Sequence, residues 1–235
     1  MKIKISLASL LLVFCALSFA QEYLMYSEDT GRDLVYEPSS IWNDWFIQIG
    51  LGGQAFVGEN FKSANFMKEL SLMPAFAVGK WWSPYWGNRL QGQGGTLHTF
   101  PTGKTSYKQM DSYSNIHIDA LCNVSQYFDP YNYDRAFSLI PYAGLGIAWR
   151  GEADDNPPPR LSSHLGYHTE SVSVATVHGG LLLQLRLSDA IGVHADIAGT
   201  LLTNDKLNRW VGGLRYEGIF SFSVGLTIHL DGLFD

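Results

Sequence analysis

The sequence is short of charge, short of cysteine and, after its first twenty residues, free of long apolar runs. Asp, Glu, Lys and Arg supply 16% of its 235 residues, against about 25% in an ordinary soluble domain. Scarce charge beside an aromatic content of 14% excludes intrinsic disorder, which needs abundant charge and few rings. It also excludes a coiled coil, which needs Ala, Glu, Lys, Leu and Arg in excess. A polytopic helical membrane protein would need several apolar stretches of about 20 residues. Basic residues are outnumbered 16 to 22 and nowhere clustered, so nucleic acid is not an expected partner. Of two cysteines, Cys15 and Cys122, the first lies in the leading apolar run, which leaves no intramolecular disulfide to form.

That leading run reads as an export signal. Lys2 and Lys4 form a basic start, Leu7 to Phe19 an apolar stretch, and Ser18-Phe19-Ala20 puts small residues three and one positions before a cleavage at Gln21. Residues 1–20 are therefore expected to be removed. Phe14 before Cys15 does not suit a lipoprotein cysteine. Without Lys2 and Lys4 the net charge is two units more negative than the −6 of the whole chain.

What remains alternates with period two. Ile47, Ile49 and Leu51 are interleaved with Gln48, Gly50 and Gly52. Ile116, Ile118, Ala120, Cys122 and Val124 are interleaved with His117, Asp119, Leu121 and Asn123. The same rhythm runs through 139–149, 177–187, 191–201 and 220–230, and more weakly through 70–82 and 85–95. Alternation over ten or more residues means strands with two unlike faces. It is longer than the usual strand of about 5–6 residues and suits the 9–11 needed to cross a bilayer. Interleaving also explains a mean hydropathy of only −0.02. Pro74 and Pro141 each lack the N–H a central strand donates, so they are expected to mark bulges or strand ends.

Eight such strands predict an all-β protein, an eight-stranded antiparallel up-and-down transmembrane β-barrel over 45–230, after an N-terminal segment over 21–44 and before a short tail over 231–235. Links at 83–85, 128–136 and 188–190 are the shorter set. Links at 57–69, 96–112, 151–172 and 204–217 are longer and polar. A three-residue link at 188–190 sets Leu185 opposite Val193, so both apolar faces coincide. Rings gather at the short-link rim: Trp42, Trp45, Trp81, Trp82 and Trp86, with Tyr127, Phe128, Tyr131, Tyr133 and Phe137. Trp45, Trp81, Trp82, Trp86, Tyr127 and Phe128 are expected to form an aromatic girdle at headgroup level.

Residues 74–95 (PAFAVGKWWSPYWGNRLQGQGG), 115–125 (NIHIDALCNVS) and 140–149 (IPYAGLGIAW) resemble strands two to five of the OmpA-family outer-membrane barrels of Bacteroidota. The resemblance runs from about Trp45 to Leu230. It implies an outer-membrane barrel with both termini periplasmic, in contact with outer-membrane lipid and lipopolysaccharide. Members often continue into a peptidoglycan-binding domain; this sequence ends five residues after its last strand, so that domain is expected to be absent. Ser223, Gly225, Ile228 and Leu230 resemble the terminal signal read by the barrel assembly machinery, with Leu230 where an aromatic is usual.

With the apolar face turned to lipid, Arg89, His117, Asp119, His178, Gln184, Arg186, His194 and Asp196 point inward, and such groups must pair with one another or with water. Arg89 and Asp119 fall mid-strand in adjacent strands and are expected to form an ion pair. An eight-stranded barrel is only wide enough to be filled by its own side chains, so a plugged interior is expected over an open pore, with a small gated conductance left as the alternative. Chemistry is thinly supported. His164 and His168 are four apart in a polar loop without helical character. Ser173 and His178 lack a third partner. Asp154-Asp155-Asn156 lacks spaced calcium ligands, and the Asn123-Val-Ser125 sequon falls in a strand. Cys122 is expected to face lipid as a small hydrophobe. The expectation is a monomeric, non-enzymatic structural barrel without cofactor or metal, stabilising the envelope or adhering to an unidentified extracellular partner through its long loops. The alternatives are a lipid-modifying enzyme barrel and a soluble lipocalin-like barrel, which would carry its apolar face inside.

Overall fold

A computed structural model describes residues 43–58, 69–99, 109–128, 135–152, 166–167, 170–204, 207, 210–211 and 217–231. The signal segment, residues 21–42, Trp42, Tyr131, Tyr133, Asp154-Asp155-Asn156, His164 and His168 lie outside them. The elements are β1 (Trp45–Val57), β2 (Ser71–Trp81), β3 (Trp86–Thr99), β4 (Gln109–Cys122), α1 (Val124–Phe128), β5 (Phe137–Arg150), β6 (Gly166–Tyr167), β7 (Val172–Arg186), β8 (Ile191–Leu202), β9 (Trp210–Val211) and β10 (Glu217–His229).

Eight strands close into a barrel in the order β1-β10-β8-β7-β5-β4-β3-β2. Every pair is antiparallel, and β1 meets β10 from Phe46↔His229 to Val57↔Gly218, so no edge is left open. The short strands β6 and β9 pair separately as Gly166↔Val211 and Tyr167↔Trp210. Links 82–85, 123–136 and 187–190 join strands at one end of the barrel, the short-link end for its two tight turns, and 58–70, 100–108, 151–171 and 203–216 join them at the other; 123–136 is longer than the expected 128–136 and longer than 100–108. At 187–190 the amides of Leu187 and Ser188 both donate to the Ile191 carbonyl at 3.0 Å, and Leu185 faces Val193 as the hairpin register predicts.

The two faces sort as alternation requires. Leu72 is 66% exposed and Val224 61%, whereas Asn115 and Asp119 are 0%. The barrel is thus apolar outside and polar inside, the reverse of a lipocalin-like barrel. Pro74 lies one residue beyond the β2–β3 ladder, which ends at Ala75↔Gln93. Pro141 lies one residue beyond the β4–β5 ladder, which ends at Leu121↔Tyr142. Both therefore mark the end of a ladder on one side, where a missing donor costs least.

Three boundaries differ from the sequence reading. β4 starts at Gln109, inside the expected loop 96–112, because outward Ser112 and Ser114 hide an alternation whose inward members are Asp111, Tyr113 and Asn115. β3 likewise continues to Thr99. The expected continuation of β4 to Val124 is replaced by α1. There Ser125 Oγ accepts a bond from the Leu139 amide at 2.8 Å, and Arg135 donates to the Ser125 carbonyl, tying the link to β5.

Glycines on the inner wall make room for polar side chains. A Cβ on Gly144 would stand 2.2 Å from Asp119 Oδ1, and one on Gly180 would stand 2.6 Å from the Tyr142 hydroxyl. Nothing lies within 4 Å of the corresponding position on Gly199, which is exposed on the outer wall. Gly144→Ala is expected to destabilise the barrel by at least the roughly 1–3 kcal/mol of core overpacking, and Gly199→Ala to leave it unchanged. Urea unfolding of the detergent-refolded protein, followed by tryptophan fluorescence, compares the two; equal midpoints would refute the assignment of Gly144 as the notch for Asp119.

Candidate functional site

The middle of the interior is organised around the guanidinium of Arg89. β3 and β4 pair with Arg89 opposite Asp119, so two inward positions of adjacent strands meet across the ladder. Arg89 donates to Asp119 Oδ2 from Nε at 3.2 Å and from Nη2 at 3.0 Å. Its Nη1 donates to Gln48 Oε1 at 3.1 Å and to Asp196 Oδ2 at 3.2 Å. The Tyr142 hydroxyl donates to Asp196 Oδ1 at 2.6 Å, while the Tyr142 ring lies 4.4 Å from Arg89 Cζ. From Gln48 the chain of bonds continues through Thr227 Oγ1 at 3.2 Å to His194 Nδ1, 3.0 Å further on.

The second oxygen of Asp119 serves two histidines. His117 Nδ1 lies 3.0 Å and His178 Nδ1 3.1 Å from Oδ1, and the two imidazole rings are 3.6 Å apart. All three residues are at most 1% exposed. With neutral histidines, Arg89, Asp119 and Asp196 sum to one negative charge in a space closed to bulk solvent.

Two apolar clusters flank this polar layer, the one towards the long-link end sharing its level with buried Asp111, Arg150 and Glu217. Phe46, Leu121, Ile140, Tyr142, Leu182 and Ala198 cluster towards the short-link end, with Trp81 packed against them. Phe56, Leu97, Tyr113, Val174, Leu202 and Ile219 cluster at the opposite end, with Ala148 and Leu207. Between the clusters, a water-sized cavity touches Gln48, Arg89, Gln91, His194, Asp196 and Ser223.

The sequence-derived set is therefore divided. Arg89, His117, Asp119, His178, His194 and Asp196 come together. Gln184 and Arg186 do not: they lie at the short-link rim, where Gln184 Nε2 meets His229 Nε2 at 2.8 Å and Arg186 pairs with Asp189 of the β7–β8 turn. Ser173 and His178 stand on opposite faces of β7, so no nucleophile–base pair forms there. Tyr142, Gln48 and Thr227 complete the network; alternation places each inward but says nothing of its partner.

The expected girdle also divides. Trp45, Trp82, Trp86, Tyr127 and Phe128 are half-buried or exposed at the short-link rim, with the Tyr85 and Tyr127 rings 4.7 Å apart. Trp81 turns inward instead and packs 6.1 Å from Phe46, because it shares the parity of Ala77 and Gly79. Lys80 takes the outward position. Its ammonium donates to the Asn43 carbonyl and lies 5.8 and 5.2 Å from the Trp45 and Trp82 rings. Of the terminal motif, Ser223 is buried and Ile228 is half-buried on the outer wall. A Cβ on Gly225 would strike the Ile49 carbonyl at 2.1 Å, and Leu230, one residue past the end of β10, donates its amide to the Trp45 carbonyl at 2.9 Å.

Closure, outward apolar wall and polar interior define an eight-stranded outer-membrane β-barrel. The chain is similar to Outer membrane protein 40 of Porphyromonas gingivalis (strain ATCC BAA-308 / W83), 30% identical over 233 residues, 98% of this chain. It spans 58% of that protein's length. It is 31% identical over 118 residues to Outer membrane protein 41 of the same organism, matching 49% of this chain and 30% of that one. No family model matches. Among solved structures it resembles Neisserial surface protein A, with a TM-score of 0.49 and 9% identity over 80% of this chain and 98% of the other.

Outside the barrel wall, Glu69 precedes β2 at the long-link end. It is 4% exposed, and its Oε2 has no hydrogen-bond partner among the described residues. Burial pushes its carboxyl up from 4.5 to about 7. A raised acid keeps its proton in the folded state where the unfolded chain has lost it, so its contribution is full below pH 4.5 and is lost as pH rises to about 7. Glu69→Gln is expected to match the parent at pH 4 and exceed its unfolding free energy at pH 8. A constant difference across that range would contradict the assignment. Within the network, Asp119→Asn is expected to cost roughly 3–5 kcal/mol, the usual penalty for stripping one partner from a buried ion pair. Arg186→Gln, at the exposed rim, should cost under about 1 kcal/mol. Urea titration of both variants in detergent gives the comparison, and an unaltered midpoint for Asp119→Asn would rule the central pair out.

Proposed function

We propose that this chain is a structural barrel of the outer membrane that does not conduct, with both termini and the short links on the periplasmic side and the long links displayed outside. The observation that carries this reading is the filled interior: a buried ionic layer lies between two apolar clusters, and the cavity beside it is only water-sized. The charged groups at its centre, Arg89, Asp119 and Asp196, are bonded to one another and are buried, out of reach of a substrate, and the reading is non-enzymatic for that reason. The ring-rich rim with the Lys80 clamp suits the inner headgroup level. The longer links, freed from spanning the bilayer, are where contact with host surfaces, other cells or lipopolysaccharide would be made. A role in envelope stability or adhesion follows from that placement, with the barrel as a rigid support delivered by the assembly machinery.

Reconstitution into planar bilayers is expected to give no stepped conductance, and intact cells should fractionate the protein with the outer membrane, with heat-modifiable migration on detergent gels. Regular single-channel steps abolished by no loop deletion would favour a gated pore instead. Solubility without detergent would overturn the membrane reading itself.

A further inference from the structure

The geometry points to a transition-metal site inside the barrel, made by His117 Nδ1, His178 Nδ1 and Asp119 Oδ1, that takes zinc or a similar borderline divalent ion. The three donor atoms lie within 4.8 Å of one another, and each nitrogen is 3.0–3.1 Å from the shared oxygen. Tetrahedral zinc bound at about 2.0–2.2 Å to nitrogen and oxygen keeps its ligand atoms about 3.4 Å apart, so the set need open by only a few tenths of an ångström to take the ion. Two imidazoles and one carboxylate are a donor set that binds zinc, iron and nickel ahead of calcium or magnesium.

Three further features lead beyond a simple hydrogen-bonded triad. First, the polar layer carries one uncompensated negative charge, since Asp119 and Asp196 face the single guanidinium of Arg89. Second, His117 Nε2 and His178 Nε2 are both buried without a partner among the described residues. A metal on Nδ1 makes each Nε2 an N–H donor that needs an acceptor. Third, those acceptors stand directly across the ladders. Gln91 faces His117 and Thr200 faces His178 in register, and Gln91 Oε1 and Thr200 Oγ1 are themselves buried and unpartnered. Arg89, bonded to the other oxygen of Asp119, would hold that carboxylate in its ligating orientation, as outer partners of metal ligands do. Because the three ligands are buried, the ion would enter during folding and leave slowly.

The full chain, refolded in detergent with zinc chloride and then passed over a desalting column in chelator, tests this by elemental analysis. About one zinc per chain is expected to remain. The His117→Gln/His178→Gln double variant should retain less than a tenth of that, and the His164→Ala/His168→Ala variant should retain all of it. Should the first variant fail to refold, cobalt in the parent protein decides: visible d–d absorption bands that survive the chelator column support the site. Parent protein that holds no zinc and shows no cobalt bands overturns it, as does zinc lost with the loop histidines and kept by the interior variant.

Discussion

An arginine cannot give up its charge, and that constraint organises the inside of this barrel. Arg89 is 2% exposed in an interior too narrow for bulk water, so every N–H it carries must find an oxygen nearby. Asp119, Asp196 and Gln48 supply them from β4, β8 and β1. One side chain on β3 thereby ties itself to strands on distant parts of the circumference. The pairings that close the barrel set backbone register; the guanidinium requires that register to bring these four side chains to one level. A slip of one residue in any of the strands would turn its member to lipid and leave a buried charge unpaired.

The remaining inner wall can be understood as accommodation of that cluster. Gly144 and Gly180 are notches for Asp119 and for Tyr142, which in turn holds Asp196 and lies under the guanidinium. His117 and His178 use the oxygen of Asp119 that Arg89 leaves open. Above and below, clusters of apolar side chains flank the ionic layer, which helps withdraw it from solvent and raises the cost of disturbing it. A barrel filled this way by its own side chains supports the proposal of a part that bears loops and does not move solutes.

Parity alone carried most of the fold. Whether a residue such as Leu72 or Asn115 meets lipid or interior depends only on odd or even place in a strand, and alternation reports that directly. The same rule made Arg89 and Asp119 legible as partners, because both lie inward at mid-strand. Height along the barrel is what parity does not report. Gln184 and Arg186 share the inward face with His178, yet strand tilt and their place near the β7–β8 turn take them to the rim. Trp81 and Trp82 are equally aromatic neighbours, but one place of parity sends the first inside against Phe46 and the second outside. At 109–115 and 123–128 the hydropathy contrast fails: outward serines mask a strand, and hydrogen bonds from Leu139 and Arg135 to Ser125 hold a turn of helix that no apolar rhythm announces.

Lys80 shows how the outer wall solves the opposite problem from Arg89. An outward lysine at the end of β2 sits beside a surface meant for hydrocarbon, where an exposed ammonium would be costly. It is 3% exposed, covered by the Trp45 and Trp82 rings and bonded to the Asn43 carbonyl. The rings offer their negative faces to the charge and their edges to lipid, so a cation can be kept at the rim without opening the apolar belt. Asn43 and Trp45 precede and open β1, Trp82 follows β2, and Leu230 after β10 donates its amide to the carbonyl of Trp45. The clamp thus ties β1 to β2, beside the seam where the first and last strands join, the one pairing that no chain link between its strands holds shut. Inside, the Arg89 network crosses the same seam through Gln48 on β1 and Thr227 on β10. The closing seam is therefore crossed inside by the network of one buried cation and flanked at the rim by a second, each held by groups drawn from more than one strand.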